Sequence, residues 1–176
     1  MKRLGAIIAG GQSRRFGSDK AAVLIEGKAL INHVADGLRP QVDALVVVGR
    51  EWPGLLSIPD HPNPQMGPLG GLCGALCYAQ LGGFDAVLTT GCDTLPVADY
   101  AKLVTSEVPR VALGQRLSGL WPASLAGALA RHLANETNWS VRHWMATCGA
   151  VEVDLGVEFH NLNRVSDLEG LRTTRP

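Results

Sequence analysis

The feature that most constrains this chain is an apolar segment that runs directly into a glycine-rich, basic loop. Residues 6–9 are apolar, and the glycine pair Gly10 and Gly11 follows them. An apolar run bounded by glycine is typical of a buried strand, and paired glycines let backbone N–H groups come close to an anion. Two arginines and Lys20 then add cationic donors that suit phosphate oxygens. The stretch therefore predicts a phosphate-binding loop at the C-terminal end of a first strand.

Two familiar phosphate-binding patterns do not match this loop. The Walker pattern requires four residues between its glycines, followed by Lys and Ser or Thr. Here five residues separate Gly11 from Gly17, and Ser18 stands where the lysine should be. The positions of the glycines also exclude the dinucleotide pattern G-x-G-x-x-G. The residues alone leave the identity of the phosphate open.

Residues 8–20 resemble the signature of the nucleotidyltransferases. They read I-A-G-G-Q-S-R-R-F-G-S-D-K, and the family pattern is roughly L-A-G-G-x-S-x-R-M-G-x-D-K. The serine, the Asp-Lys pair and the short chain make the sequence most similar to the molybdenum cofactor guanylyltransferases, a MobA-like branch of that family. The resemblance implies that Arg15 and Lys20 hold phosphates and act in catalysis. It also implies nucleotide contacts from Ile8, Ala9, Gly10 and Gly11.

Signals for strands and helices alternate along the rest of the chain. Such alternation predicts one domain over residues 1–176, with three α/β/α layers and a mostly parallel sheet. The resemblance implies that this sheet is the Rossmann-like sheet of the nucleotidyltransferases. Apolar runs predict buried strands, helical spacing predicts helices, and Ser140 is a candidate N-cap. The predicted strands are residues 44–48, 86–90, 110–113, 120–126 and 151–155, and the predicted helices are residues 30–39, residues 72–81 and the segment after Ser140.

Asp93 follows the predicted strand at residues 86–90. Ligands of open α/β sheets bind outside the carboxyl ends of the strands, so Asp93 and the Gly10 loop should share one edge. A lone aspartate after a strand is often only a turn residue, but a phosphate site needs a hard oxygen ligand for magnesium. The segment around Asp93 also resembles the metal-binding segment of the family. We therefore expect Asp93 to bind Mg²⁺ and the nucleotide and to act in catalysis.

A proline-rich segment, residues 52–68, separates two parts of the alternating pattern and is predicted to be a shaped loop. Three glycines follow it at residues 70, 71 and 74, at the start of the predicted helix. Glycine lowers helix stability there, which indicates a close approach of backbone to a strand or a ligand. The resemblance implies that Asp60, ahead of the G-P-L-x-G stretch, contacts the nucleoside.

The second half matches the family less closely. Phe159 begins a segment similar to the family's F-x-N-x-N, which implies that Asn161 and Asn163 contact the acceptor, although such residues are equally typical of turns. Gly49 stands where the family often has an asparagine that reaches the base or ribose. The preference for guanine is therefore open at this position.

Composition limits the partners and the compartment. Sixteen basic and sixteen acidic residues give a net charge of zero, which argues against nucleic acid or a lipid surface as partner. No apolar run reaches the roughly 20 residues that a spanning helix requires, and the first strand begins too early for a signal peptide. We expect a cytoplasmic protein, with transient contacts to other cofactor-biosynthesis proteins or acceptor enzymes.

Four cysteines show no C-x-x-C pattern. Cys73 and Cys77 are four residues apart and so should lie on one face of a helix. Zinc would need further ligands, which the neighbouring sequence does not supply, so these cysteines are interpreted as small buried residues in a reducing compartment.

The resemblance implies Mg²⁺-dependent transfer of GMP from GTP to the phosphate of molybdopterin, with release of pyrophosphate. Two alternatives stay open. One is a cytidylyltransferase that acts on molybdopterin or on a sugar or polyol phosphate. The other is a non-catalytic protein that binds GTP or the cofactor.

Overall fold

A seven-stranded sheet forms the centre of the described part of the chain, which in this computed structural model is residues 1–10, 19–104 and 108–161. The strands are β1 (Arg3–Ile8), β2 (Leu24–Ile25), β3 (Lys28–Ala29), β4 (Ala44–Val48), β5 (Leu56–Ile58), β6 (Ala86–Gly91), β7 (Thr94–Leu95), β8 (Arg110–Ala112), β9 (Gln115–Pro122), β10 (Val151–Val153) and β11 (His160–Asn161). The helices are α1 (Leu30–Leu38), α2 (Gly67–Leu81), α3 (Ala126–Asn135) and α4 (Val141–Cys148), with short 3₁₀ turns at Lys20–Ala22, Arg39–Gln41, Tyr100–Leu103 and Ala123–Leu125.

The sheet order is β5-β4-β1-β6-β9-β8-β10. Strand β9 pairs antiparallel with both β6 and β8, and every other pairing in this sheet is parallel. The chain moves outward from β1 through β4 to β5 and then returns to place β6 on the other side of β1. This reversal of direction puts a topological switch point between β1 and β6, where open α/β sheets bind their ligands.

Alternating side chains of β1 enter two separate cores. Leu4, Ala6 and Ile8 pack with α2, α3 and α4 on one face of the sheet, whereas Ile7 packs with α1 and the Tyr100–Leu103 turn on the other. A strand that is buried on both faces is typical of a parallel sheet covered by helices. The predicted three-layer α/β/α architecture is therefore confirmed.

Several predicted elements agree with the structure, and others are shifted. Strand β4 has the predicted bounds, β6 extends one residue further, and the Ser140 hydroxyl caps α4 by accepting from His143 N at 3.2 Å. Helix α2 begins at Gly67, not Leu72, with Pro68 in its first turn. The strand predicted at residues 120–126 is wrong in its bounds, because β9 ends at Pro122 and a 3₁₀ turn leads into α3.

The glycines of α2 allow the chain after β5 to cross the helix at close range. A Cβ at Gly74 would lie 2.3 Å from the Pro59 carbonyl oxygen, and His61 N donates to the Gly70 carbonyl at 3.0 Å. A Cβ at Gly71 would lie 3.0 Å from Ile8 Cγ2. The close approach that these glycines indicate in the sequence is therefore present. Within the described ranges, no helix has both the length and the apolar character needed to cross a bilayer.

We expect Gly74→Ala to lower the free energy of unfolding by about 1–3 kcal/mol, because the added methyl group has no room beside the Pro59 carbonyl. Gly127→Ala on α3 is the matched control. Its Cβ would meet only the flexible end of Arg131, at 3.6 Å, so stability should stay equal or rise by up to about 1 kcal/mol. Urea denaturation of both variants measures the difference, and equal midpoints would contradict the packing described for α2.

Candidate functional site at the carboxyl ends of the strands

Three neighbouring strands bring the predicted site segments to one edge of the sheet. Ile8, the last residue of β1, is in register with Val48 of β4 and with Gly91 of β6. Beyond the strands, Ala9 N donates to the Val48 carbonyl at 3.0 Å and Cys92 N donates to the Ile8 carbonyl at 3.2 Å. The residues after β1, β4 and β6 therefore emerge side by side, as expected for Asp93 and the loop that begins at Gly10.

Lys20 and Asp93 meet at the β6 side of this edge. Lys20 Nζ donates to Asp93 Oδ2 at 3.2 Å, and the two side chains are only 16% and 24% exposed. Lys20 lies in the 3₁₀ turn that follows the predicted phosphate loop, and Asp19 caps that turn by accepting from Ala21 N at 3.2 Å. A partly buried ammonium and a carboxylate are thus held together at this edge of the sheet.

Glycines allow two strand ends to touch on the β4 side. Gly49 has a φ of +84°, and a Cβ there would lie 2.6 Å from Gly10 Cα and 2.9 Å from Asp60 Oδ1. The absence of an asparagine at position 49 therefore has a structural reason, because the backbone of Gly10 occupies that space. A Cβ at Gly10 would in turn lie 3.4 Å from both Asp60 carboxyl oxygens. The structure thus brings Asp60 directly against the phosphate loop's first glycine.

The position of Asp60 disfavours the charged form of its carboxyl group. Burial raises the pKa of its carboxyl, and the hydrogen bond that Oδ2 accepts from Gln65 N at 3.1 Å offsets the rise only in part. Desolvation disfavours the charged form of a carboxyl group. A carboxyl group that is held at a cost to stability is a common property of functional sites.

Arg50 is a site residue to which the sequence pattern assigned no role. It follows Gly49 directly, and its guanidinium makes two hydrogen bonds to Asp19, one of them from Nη1 to Oδ1 at 2.7 Å. It also lies over the Trp52 ring, 5.5 Å from the centroid. The paired arginine lowers the pKa of Asp19, and Asp19 raises the pKa of Arg50. The sequence signal that could have identified Arg50 is its position directly after the glycine that follows a strand.

A cleft of about 400 Å³ opens beside the Gly10–Gly49 contact. Its volume is within the range of small-molecule sites. One wall comes from the ends of β1 and β4, and the other comes from β5 and the loop that follows. The lining residues are Gly10, Gly49, Arg50, Glu51, Ser57, Ile58, Pro59, Asp60, Pro64 and Gln65.

Some predicted site residues lie outside the part of the chain that is described. Gly11, Arg15 and Asn163 are among them. Asn161 is described by its backbone alone, in β11, where it pairs antiparallel with Thr94 of β7, the residue after Asp93. The segment predicted to contact the acceptor therefore runs beside the residue next to Asp93, and a contact with the acceptor stays a prediction.

The chain is similar to a named family and to named proteins. A family model described as the MobA-like NTP transferase domain matches residues 5–148. The molybdenum cofactor guanylyltransferase of Cereibacter sphaeroides is 34% identical over 96% of this chain and 94% of its own length. The protein of that name from Rhizobium leguminosarum bv. trifolii is 29% identical over 93% and 88%. The crystal structure of molybdopterin-guanine dinucleotide biosynthesis protein A from Archaeoglobus fulgidus superposes with a TM-score of 0.72 at 20% identity, covering 95% of each chain.

We expect Asp60→Asn to raise the melting temperature at neutral pH. A carboxyl group whose pKa is raised on folding makes the protein less stable as pH rises from the usual aspartate range through the raised value. An amide removes that dependence and can still accept from Gln65 N. The gain should shrink as the pH falls below the ordinary aspartate range, and thermal melts from neutral to acid pH measure it. An asparagine variant that is less stable than the wild type at neutral pH would contradict the desolvation of Asp60.

We expect Gly49→Ala to lower the free energy of unfolding by about 1–3 kcal/mol more than Gly54→Ala does. Both glycines have positive φ, at +84° and +79°, so both variants carry the same backbone strain. Only Gly49 has the Gly10 backbone against it, whereas a Cβ at Gly54 meets nothing within 4 Å. Urea denaturation compares the pair, and equal losses would mean that the Gly10–Gly49 contact does not constrain the site.

Proposed function

The chain belongs to the MobA-like NTP transferase family, and on this premise we propose that it transfers GMP from GTP to the phosphate of molybdopterin. Membership makes it a nucleotidyltransferase, and its relatives, which are molybdenum cofactor guanylyltransferases, suggest the acceptor and the nucleotide. The products are pyrophosphate and the guanine dinucleotide form of the cofactor. The observation that carries the proposal is the order of groups along one edge: the Lys20–Asp93 pair, the Gly10 backbone, then Asp60 beside a cleft.

We assign the triphosphate of the nucleotide to the carboxyl end of β1. Backbone N–H groups of Gly10 and Gly11 suit phosphate oxygens, and Ile8 and Ala9 bring them to the edge of the sheet. Arg15 and Lys20 neutralise the negative charge that the phosphates carry. With the phosphates there, the nucleoside extends into the cleft toward β5, where Asp60 is a hydrogen-bond acceptor for it.

Mg²⁺ is assigned to Asp93. The carboxylate is a hard oxygen ligand, and Mg²⁺ is usually bound through one or two carboxylates together with substrate phosphates. The ammonium of Lys20 lies 3.2 Å from Asp93 Oδ2, so the carboxylate is already at the edge to which the phosphates are assigned. When bound, the ion would neutralise charge on the phosphates and polarise the bond that breaks.

The residues of the chain act by positioning the reactants. The cleft and Asp60 hold the nucleoside, the glycine backbone and Lys20 fix the phosphates, and the acceptor approaches from the side of β7 and β11. An oxygen of the acceptor phosphate then attacks the α-phosphorus of GTP as the bond to pyrophosphate breaks. Such transfers need alignment and charge neutralisation more than covalent help from the protein.

Transient contacts with other cofactor-biosynthesis proteins or acceptor enzymes belong to the same proposal. The substrates that the proposal names are small molecules of the cytoplasm, so the enzyme would work in the cytoplasm.

CTP is the second candidate nucleotide, because Gly49 leaves no side chain to contact the base from the end of β4. The decisive measurement is pyrophosphate release by the purified protein with molybdopterin and Mg²⁺, in parallel reactions with GTP, with CTP, and with GTP but no acceptor. Release with GTP only when the acceptor is present supports the proposal. Release of pyrophosphate with CTP and acceptor, but not with GTP and acceptor, would make the protein a cytidylyltransferase. Nucleotide binding without release of pyrophosphate would make it a binding protein.

We expect Asp93→Asn and Lys20→Met each to lower the rate of pyrophosphate release by at least about 10²-fold, as loss of one preorganised electrostatic group does elsewhere. The exposed ion pair of Lys28 and Asp36 is the matched control. Asp36→Asn and Lys28→Met remove the same groups from a pair to which the proposal gives no role, and their rates should stay near that of the wild type. Equal losses of rate in the Lys20–Asp93 variants and the Lys28–Asp36 variants would contradict the roles assigned to Lys20 and Asp93.

A further inference from the structure

Three side chains that bind soft metals lie together beside the proposed nucleotide site. The ligand atoms of His61, Cys73 and Cys77 all lie within 4.8 Å of one another. Cys73 is buried, Cys77 is partly buried and His61 is exposed, and both cysteines are free thiols. Among the described residues, this is the single group of three or more His, Cys, Asp or Glu side chains close enough to share an ion.

Backbone contacts hold the three residues in place. Cys73 and Cys77 are one turn apart on α2 and project from the same face of the helix. His61 reaches that face because His61 N donates to the Gly70 carbonyl at 3.0 Å, while the Pro59 carbonyl lies where a Cβ of Gly74 would be. The cluster is thus built from two elements that are fixed to each other, and not from neighbours in one loop.

The geometry and chemistry of the cluster match zinc. Tetrahedral zinc binds thiolate sulfur at about 2.3 Å and imidazole nitrogen at about 2.0–2.1 Å, which puts ligand atoms roughly 3.5–4 Å apart. The ligand atoms of the three side chains lie within 4.8 Å of one another, which is close to that spacing. Two thiolates and one imidazole leave a fourth tetrahedral position open to a water molecule, and His61 is the exposed member of the three.

We propose that His61, Cys73 and Cys77 form a site for a thiophilic divalent cation of the Zn²⁺ class, separate from the Mg²⁺ assigned to Asp93. Binding forms two metal–sulfur bonds and one metal–nitrogen bond, and two thiol protons pass to the solvent. The bound ion ties the chain that follows β5 to α2. That chain carries Asp60, so the ion fixes the wall of the cleft that Asp60 lines.

Cobalt(II) is the probe for this site, because thiolate coordination in a tetrahedral field produces charge-transfer and d–d absorption in the visible region. The experiment uses the full-length protein, reduced, stripped of metal and without a histidine tag. We expect one equivalent of Co²⁺ to bind with that spectrum and one equivalent of Zn²⁺ to abolish it.

Variants identify the ligands. We expect Cys77→Ser and His61→Gln each to weaken Co²⁺ binding at least about tenfold, and both side chains are exposed enough for the variants to fold. The matched controls are Cys148→Ser and His143→Gln, a partly buried cysteine and a partly buried histidine on α4. The controls, and Asp93→Asn, should keep the spectrum and the stoichiometry of the wild type.

Three results would overturn the proposal. They are the absence of a thiolate–cobalt spectrum in the reduced protein, a spectrum that survives both Cys77→Ser and His61→Gln, and a spectrum that Cys148→Ser abolishes. Since none of these readouts uses nucleotide or acceptor, the metal site can fail while the proposed transferase activity holds, and the reverse is also true.

Discussion

The close approach of Gly10, Gly49 and Asp60 is the constraint on which the rest of the site depends. The backbone ends of β1 and β4 touch, and the carboxyl group of Asp60 lies against both. Since Asp60 follows β5 and is flanked by the Pro59–Gly74 contact, the same packing also sets how near α2 lies to the sheet. A larger side chain anywhere in this contact would move a strand end, a helix and one wall of the cleft together.

Charge at this edge is arranged in two ion pairs. Lys20 is paired with Asp93 and Arg50 is paired with Asp19, and in both pairs the cation belongs to a turn or a strand end. A planar guanidinium that makes two hydrogen bonds to a carboxylate has the geometry to make two to a phosphate as well. The carboxylates keep both cations in place and partly desolvated, so a polyanion that took over these cations, as proposed, would require little reorganisation of the site.

Long apolar runs and a strong cap were readable from the sequence, whereas contacts between segments were not. Strand β4 and the Ser140 cap are local signals, and both are confirmed. Helix α3 has no counterpart among the predicted elements, because eight of its ten residues are alanine, glycine or polar, and it is set by packing against α2. The early start of α2 was missed because three of the first four residues of the helix are glycine or proline, although proline is favourable there.

The distinction between local sequence signals and contacts between segments also applies to the candidate site. Glycine spacing and the aspartate after β6 were sufficient to place Gly10 and Asp93 at one edge, because parallel strands share their carboxyl ends. The partnership of Arg50 with Asp19 joins two residues far apart in the chain. The grouping of His61 with Cys73 likewise depends on a hydrogen bond from one loop to α2, which no spacing rule encodes.

The glycine at position 49 has a consequence for how base selectivity could change in this protein. A bulkier residue there cannot be accommodated by a rotamer adjustment alone, since the nearest obstacle, Gly10 Cα at 2.6 Å, is main chain. Evolution or engineering that sought a new nucleobase would have to work from the opposite wall, through the side chains of positions such as Pro64 and Gln65, which line the opening. With the nucleoside in this cleft, as proposed, discrimination between purine and pyrimidine would then reside in the segment between β5 and α2, away from the Gly10 backbone.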